Sequence, residues 1–304
     1  MKMRMGNWGL NAIPTGDFAL DGGAMFGVVP RVLWSREHPP DDENRIDMTM
    51  RALLLTAEIE GQERVVLVDT GAGGKLTPKL QAIYRVDHSQ HDLVGGLAAA
   101  GYTPARVTDV ILTHLHFDHA GGATRFAEDA PSESAESRER GIPSAVPAFP
   151  NAVYHVQRRQ WEWANNPTPR DRASFFPENF LPLQESGQLN LVEGEVELFP
   201  DLFLLVVDGH TPAQQLPLIR TVKSTFLYCG DLFPTHSHLR VPWVMAYDLE
   251  PLKTLHEKMR VLPQAVEEEW VLFFEHDALA ECCHVEEVGE DFAASEPFDL
   301  ETCS

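Results

Sequence analysis

Residues 111–122 read ILTHLHFDHAGG, placing three histidines and an aspartate within six positions directly behind an apolar run. Imidazoles crowded this closely repel one another when protonated and waste hydrogen bonds when buried, so the run reads as a metal site. If residues 113–118 are extended, His114, His116 and Asp118 fall on one side of the chain with period two. His119, at the start of a helix, turns toward the same centre. Three more polar tips close apolar runs downstream: His210 in DLFLLVVDGHT, Asp231 in STFLYCGD and His276 in EWVLFFEHD. Seven N/O ligands are too many for one tetrahedral ion and suit two adjacent divalent ions sharing a carboxylate. Such a pair lowers the pKa of bound water toward about 7 and polarises a carbonyl or phosphoryl oxygen. Asp118 is the candidate catalytic residue, taking and returning the proton as the leaving group departs. The reaction class this predicts is metal-assisted hydrolysis. Zn²⁺ is the default ion for His/Asp donors, with Mn²⁺, Fe²⁺ and Co²⁺ fitting the same set.

The elements that must carry these residues are legible as punctuated apolar runs. ERVVLVDTG, VTDVILTHLH, DLFLLVVDGHT, STFLYCGD and EWVLFFEHD are short, β-branched or aromatic, and closed by Gly, Asp or Thr, which reads as buried strands followed by turns. Helices are expected over KLTPKLQAIYRV, HDLVGGLAAAG, residues 154–165 and DLEPLKTLHEKMRVLP. The last takes Asp248 as N-cap, has Pro251 in its first turn and ends before Pro263. Strands and helices interleave throughout, so the class is α/β. The chain reads as one domain over 1–304. It carries a Ser-, Glu- and Pro-rich mobile surface insertion at 128–147 and an acidic C-terminal tail at 286–304.

Composition narrows the partners. The 304 residues carry 24 basic and 46 acidic side chains, a formal net charge of −22, which repels phosphate backbones and anionic membrane. No stretch approaches the roughly 20 apolar residues of a membrane span. The opening MKMRMGNWGLNAIPTGDF lacks an apolar core behind its basic residues, so a cytoplasmic location is expected. Cys229, Cys282, Cys283 and Cys303 form no C-x-x-C pair and read as reduced thiols. The expected partner is a small-molecule substrate, without nucleic acid or membrane, and a homodimer is left open.

THLHFDHAGG, with VDTG upstream and DGHTPAQ, CGD and FFEHD downstream, resembles the metallo-β-lactamase fold superfamily of hydrolases, and the resemblance runs over residues 65–277. It implies a four-layer αββα sandwich, two mixed β-sheets flanked by helices, with the metals at one edge. By motif position it implies that His114, His116 and His210 bind one ion, that Asp118, His119 and His276 bind the other, and that Asp231 bridges. It further implies a supporting Asp69 that orients His116 or the bridging water; Thr211, beside His210, reads either as a second supporting residue or as a turn former.

Within the superfamily, the flavodiiron reductases, persulfide dioxygenases, cysteine-bearing zinc β-lactamases and RNA-processing nucleases fit the ligand set or the charge less well. The set resembles the lactonase, arylesterase and phosphotriesterase branch, in which a metal-bridging hydroxide attacks the carbonyl of a small hydrophobic ester or lactone. Hydroxyacylglutathione-type thioesterases share the ligands, and a non-catalytic metal-binding module is the remaining alternative. The lactonases carry a tyrosine three residues after the bridging aspartate, where this chain has Pro234. His236, His238 or Tyr247, in FPTHSHLRVPWVMAYD, is expected to supply the missing donor. Residues 16–34, Gly-rich and apolar, read as a loop over the metals with Met25 and Phe26 on the substrate, or as a strand turning into the core. Trp161, Trp163, Phe175 and Phe176 are candidates for the same wall.

Overall fold

Alternation along the strands explains the layers. In Gln62–Val68 the side chains of Val66 and Val68 enter one apolar cluster, whereas Val65 and Leu67 enter another on the opposite face. Leu53 and Leu55 part from Ala52 and Leu54 in the same way within Arg45–Ile59. Strands buried on both faces read as continuous apolar runs because each face meets its own layer.

The computed structural model describes residues 3–127 and 144–302. One sheet has seven strands in the order Arg4–Met5, Trp8–Asp21, Arg45–Ile59, Gln62–Val68, Asp109–Ile111, Val153–Gln157 and Leu189–Val192. The other has six: Val196–Phe199, Leu202–Val207, Gln214–Arg220, Thr225–Tyr228, Val271–Phe273 and Cys282–Cys283. Both are mixed. Leu53, Val66 and Ile111 of the first sheet pack against Leu204, Phe226 and Phe273 of the second, forming the central core. Helices Leu93–Ala99 and Arg158–Asn165 cover the outer face of the first sheet through Leu97 and Trp161. Helix Pro251–Glu267 covers the second through Val261, Leu262 and Ala265. The αββα sandwich follows.

Parallel pairing sets the functional edge. Gln62–Val68 runs parallel to Asp109–Ile111, and Thr225–Tyr228 runs parallel to Val271–Phe273. The segments leaving these four strands therefore emerge at the same edge, bearing Asp69, the 114–119 run, Asp231 and His276. The two sheets are tied there by Gln215, whose backbone N–H donates to Thr113 O and whose side-chain amide donates to Leu112 O and His155 O.

Several expectations need correction. Residues 154–157 belong to strand Val153–Gln157, and the helix starts at Arg158. Helix Pro251–Glu267 has Glu250, not Asp248, at its N-cap and continues through Pro263. The lost N–H bond there is offset by burial of Leu262 and Ala265 beside it. Of the 128–147 insertion, residues 128–143 lie outside the described residues, and Ala145–Pro147 is a strand paired with Thr124–Phe126. The supposed acidic tail is folded: Val285–Val288 and Asp291–Ala294 form a hairpin, Phe298 exchanges backbone hydrogen bonds with Cys282, and Leu300 is buried. Residues 16–34 are neither a free loop nor only a strand. They finish strand Trp8–Asp21 and continue as short helices Gly22–Phe26 and Arg31–Trp34. Cys229, Cys282 and Cys283 are buried free thiols.

Candidate metal centre

The 114–119 run is not extended to its end. The short helix Phe117–Ala120 begins inside it, with His116 at the N-cap position, so Asp118 and His119 lie in its first turn. The glycines that follow let another segment come close. A Cβ on Gly121 would stand 2.1 Å from Ala72 O, and one on Gly122 would stand 2.3 Å from Thr70 O. Residues 70–72 can therefore lie against the helix, and Thr70 donates from both its backbone N–H and its hydroxyl to His119 O. Asp69 takes a left-handed backbone, φ 56°, which is rare for a side chain with a Cβ. Hydrogen bonds from the Thr113 backbone N–H and hydroxyl, each 2.7 Å, hold it there.

The seven predicted ligands converge, all of them buried. His114 Nε2 lies 3.0 Å from His116 Nδ1, which lies 3.1 Å from His210 Nε2. On the other side His119 Nε2 lies 3.1 Å from His276 Nε2, and Asp118 sets Oδ1 3.9 Å from the first and Oδ2 3.9 Å from the second. Asp231 stands between the two groups. Its Oδ2 is 3.1 Å from His210 Nε2 and 3.9 Å from His114 Nε2. Its Oδ1 is 3.5 Å from His119 Nε2 and 3.3 Å from His276 Nε2.

The outward-facing ring nitrogens fix these orientations. His114 Nδ1 meets Thr113 Oγ1 at 3.0 Å, His119 Nδ1 meets Asp69 Oδ2 at 3.0 Å, His210 Nδ1 meets Asp248 Oδ1 at 2.9 Å, and His276 Nδ1 meets Thr49 O at 3.0 Å. With these outward nitrogens engaged, the Nε2 atoms of His114, His119, His210 and His276 and the Nδ1 of His116 crowd together, while Asp231 Oδ1 is buried without a hydrogen-bond donor. Ring nitrogens crowded 3.0–3.1 Å apart around an unsatisfied carboxylate are what divalent cations compensate, so the residues fit such ions. Burial, then the neighbouring imidazoles, holds His114 and His116 well below the ordinary histidine value, in the neutral form a ligand requires. At His276 burial acts downward too, but the Asp231 charge outweighs it and lifts the ring to about 9.

Two buried carboxylates escaped the sequence reading. Asp248 orients His210, and its only sequence signal, a place just ahead of a helix, suggested a cap. Glu275 is fully buried with Oε2 2.8 Å from His119 Nδ1, yet neither oxygen completes a hydrogen bond, because the ring N–H points at Asp69. Burial, reinforced by the Asp69 charge and opposed by His119, pushes the Glu275 carboxyl up to about 8.

A cavity of about 310 Å³ opens onto the ligands, with Met25, Met48, Met245 and Phe117 among its apolar walls and Tyr84 and Tyr247 among its polar ones. A larger cavity of about 760 Å³, lined by Lys75, His88 and Phe149, contains none of the ligand side chains. Of the expected substrate contacts, Met25 and Tyr247 line the ligand cavity and three others do not. Phe26 is wholly buried, stacked on Trp34 and His238. His238 is buried too, with Nε2–H donating to Met25 O at 2.8 Å and Nδ1 accepting from Thr235 Oγ1 at 2.7 Å. Burial depresses its ring to about 3, so it is a neutral core residue. His236 is held by Asp277 Oδ2 outside the cavity.

Asp69 supports His119 rather than His116. The Thr211 hydroxyl accepts from Gln160 Nε2. Phe175 packs edge-on to His116 at 4.7 Å and Phe176 reaches Phe117. Trp161 packs on Phe180 in the core, and Trp163 donates to Asp171.

Comparison with known proteins agrees with this geometry. The metallo-beta-lactamase superfamily profile matches residues 56–272. An N-acyl homoserine lactonase of Bacillus cereus is 28% identical over 238 residues, covering 72% of this chain and 79% of the lactonase. The crystal structure of a probable metal-dependent hydrolase from Staphylococcus aureus superposes with TM-score 0.83 at 27% identity, covering 98% of this chain and 100% of that one. A dizinc quorum-quenching lactonase shares the fold at TM-score 0.75 and 18% identity, over 98% and 97% of the two chains. With its sandwich, its histidine-rich edge and a profile match over most of its length, the chain belongs to the metallo-beta-lactamase superfamily and is a metal-dependent hydrolase.

Proposed function

We propose that the protein binds two divalent ions, Zn²⁺ by its donor set, and hydrolyses a small hydrophobic ester or lactone. His114, His116 and His210 would hold one ion and Asp118, His119 and His276 the other, with Asp231 between the two groups. The observation that carries this reading is the placement of Asp231, whose two oxygens face the two separate nitrogen groups. Bound there, the ions would acidify a water and polarise the substrate carbonyl.

The chain's own residues supply the rest. Asp118 borders the cavity and keeps a carboxylate oxygen available to accept a proton from the attacking water and return it to the leaving oxygen. Met25, Met48 and Met245 give an adaptable apolar wall that takes an acyl chain and excludes bulk water. The similarity to an N-acyl homoserine lactonase supports a cyclic ester among the substrates.

The test is a panel of aryl esters, acyl homoserine lactones, thioesters and paraoxon, run with metal-loaded protein and with Asp118→Asn. Turnover of esters or lactones that falls at least about 100-fold in the variant is the expected outcome. A wild type that holds both ions yet turns over no member of the panel contradicts the proposal.

A further inference from the structure

The cavity over the metal ligands has one Lys or Arg among its lining residues, Arg170. The chain carries 46 acidic against 24 basic side chains, so carboxylate partners are abundant. Arg158 and Arg159, on the preceding helix, pair with Glu193 and Asp208. Arg170 forms no ion pair among the described residues.

The local chain explains why. Residues 166–171 read NPTPRD. Asp171 N–H donates to Thr168 O at 3.3 Å, closing a turn with Pro169 at its second position, where the fixed φ of proline suits the bend. Asp171 is buried, and its carboxylate accepts from Trp163 Nε1 at 2.6 Å and from Thr168 Oγ1 at 2.5 Å. The adjacent acid is therefore spent inward, while Arg170 stays exposed. One of its nitrogens, Nη2, donates to Ala246 O at 2.5 Å and to Asp248 O at 3.2 Å. The N–H groups of Nε and Nη1 have no partner among the described residues. The residues it grips are themselves fixed to the ligands. Asp248 Oδ1 holds His210 Nδ1 at 2.9 Å, and Leu249 N–H donates to His210 O at 3.1 Å. A positive group is thus pinned to the cavity wall one residue behind a metal ligand, with donors to spare.

The surrounding charge leaves it unquenched. Divalent ions at the ligands would more than offset Asp118, Asp171 and Asp231, the aspartates among the lining residues. The cavity then carries positive charge inside a molecule of net charge −22, whose surface repels a polyanion far more than a single anionic group on an apolar body. Met25, Met48 and Met245 line the same cavity and suit the carbon chain of such a body.

We infer that Arg170 is a specificity-determining residue that binds a single carboxylate on the substrate, several carbons away from the ester carbonyl that is cleaved. The inference rests on the hydrolase reading above and narrows its substrate class to monoanionic, otherwise apolar esters. Arg170 touches none of the reacting atoms. Its N–H groups donate charge-assisted hydrogen bonds to the distant carboxylate, an interaction made equally before and during reaction, so its loss appears in KM.

The test compares nitrophenyl monoesters of adipic and suberic acid with the same compounds whose free acid is capped as a methyl ester. Wild type, Arg170→Gln and Arg170→Lys are used metal-loaded, with metal content measured. Wild type is expected to favour the free acids at least about tenfold in kcat/KM. Arg170→Gln should bring that ratio to about one or below through KM, with kcat and turnover of the capped esters within about threefold, and Arg170→Lys should restore part of it. A general loosening of the 246–248 segment would affect both forms alike and leave the ratio standing. A wild type without the preference overturns the inference, as does an Arg170→Gln enzyme that keeps it, which would place carboxylate binding at the metals. If neither variant folds, the wild-type ratio decides, and one that does not shrink between low salt and about 1 M salt overturns the inference. A metal-loaded wild type inert toward both forms is a different failure, that of the hydrolase reading itself.

Discussion

At His210 the ring is set from two sides, with Nε2 facing His116 and Asp231 and Nδ1 held by the buried carboxylate of Asp248. Removing Asp248 leaves the imidazole free to rotate and less basic, and supporting residues of this kind typically contribute 10–100-fold to metal affinity. Asp248→Ala should weaken binding of one ion by about that factor in a chelator competition, and leave the ion held by His119 and His276 less affected. His238 illustrates the opposite case, a histidine that looks functional and is core. Its folded value of about 3 lies below the ordinary 6.5 because burial disfavours the charged ring. The stabilising effect of the neutral ring is therefore complete above pH 6.5 and is lost as pH falls from 6.5 toward 3. The stability of wild type relative to His238→Gln should shrink across that window with a slope of at most about 1.4 kcal/mol per pH unit, read by urea unfolding. A pH-independent difference would mean the ring is not held neutral.

At the scale of elements, strand ends and the turns after them do the positioning. The close approach of residues 70–72 to helix Phe117–Ala120 depends on Gly121 and Gly122, whose missing side chains admit backbone oxygens. Gly121→Ala must push Ala72 away, at a cost of about 1–3 kcal/mol or more, and should displace Thr70 from His119 O. Both a lower melting temperature and poorer metal retention are expected; a variant that melts and binds like wild type would show that the loop adapts. The five punctuated apolar runs became strands because each meets an apolar layer on both faces. Strands Trp8–Asp21 and Arg45–Ile59 carry partly exposed positions, and the first is interrupted by a bulge between Pro14 and Gly16, where the missing proline N–H is tolerated. Their period is therefore faint in the sequence, although the two are paired over most of their length.

Across the whole molecule, the seven side chains come from both sheets, so metal ions would cross-link the halves of the sandwich. Without them, five imidazoles crowd together and Asp118 and Asp231 share a buried site. Chelation should lower the melting temperature by roughly 5 °C or more, reversed by adding back Zn²⁺ or Mn²⁺. An unchanged melting curve after verified metal removal would contradict this. The net charge of −22 gives the surface one dominant sign, matching a neutral ester better than a polyanion. Among the described residues no helix is long and apolar enough to cross a membrane.

The histidine-rich run and the strands that end in it were readable from order and spacing, because metal donors are scarce residue types and buried strands are continuous apolar runs, whereas the sandwich came from the family resemblance those motifs carry. Spacing cannot say which polar neighbour supports which ring. That Asp69 serves His119, that Asp248 serves His210, that Glu275 is sealed behind the site and that His238 is spent on Met25 O are decided only when distant segments pack. The same holds for Tyr84 and Tyr247, separated by most of the chain and brought over one cavity by the meeting of a short helix and a pinned loop. Local sequence sets which donors a chain can offer. Burial and orientation, fixed by tertiary contacts, set which of them remain free to act.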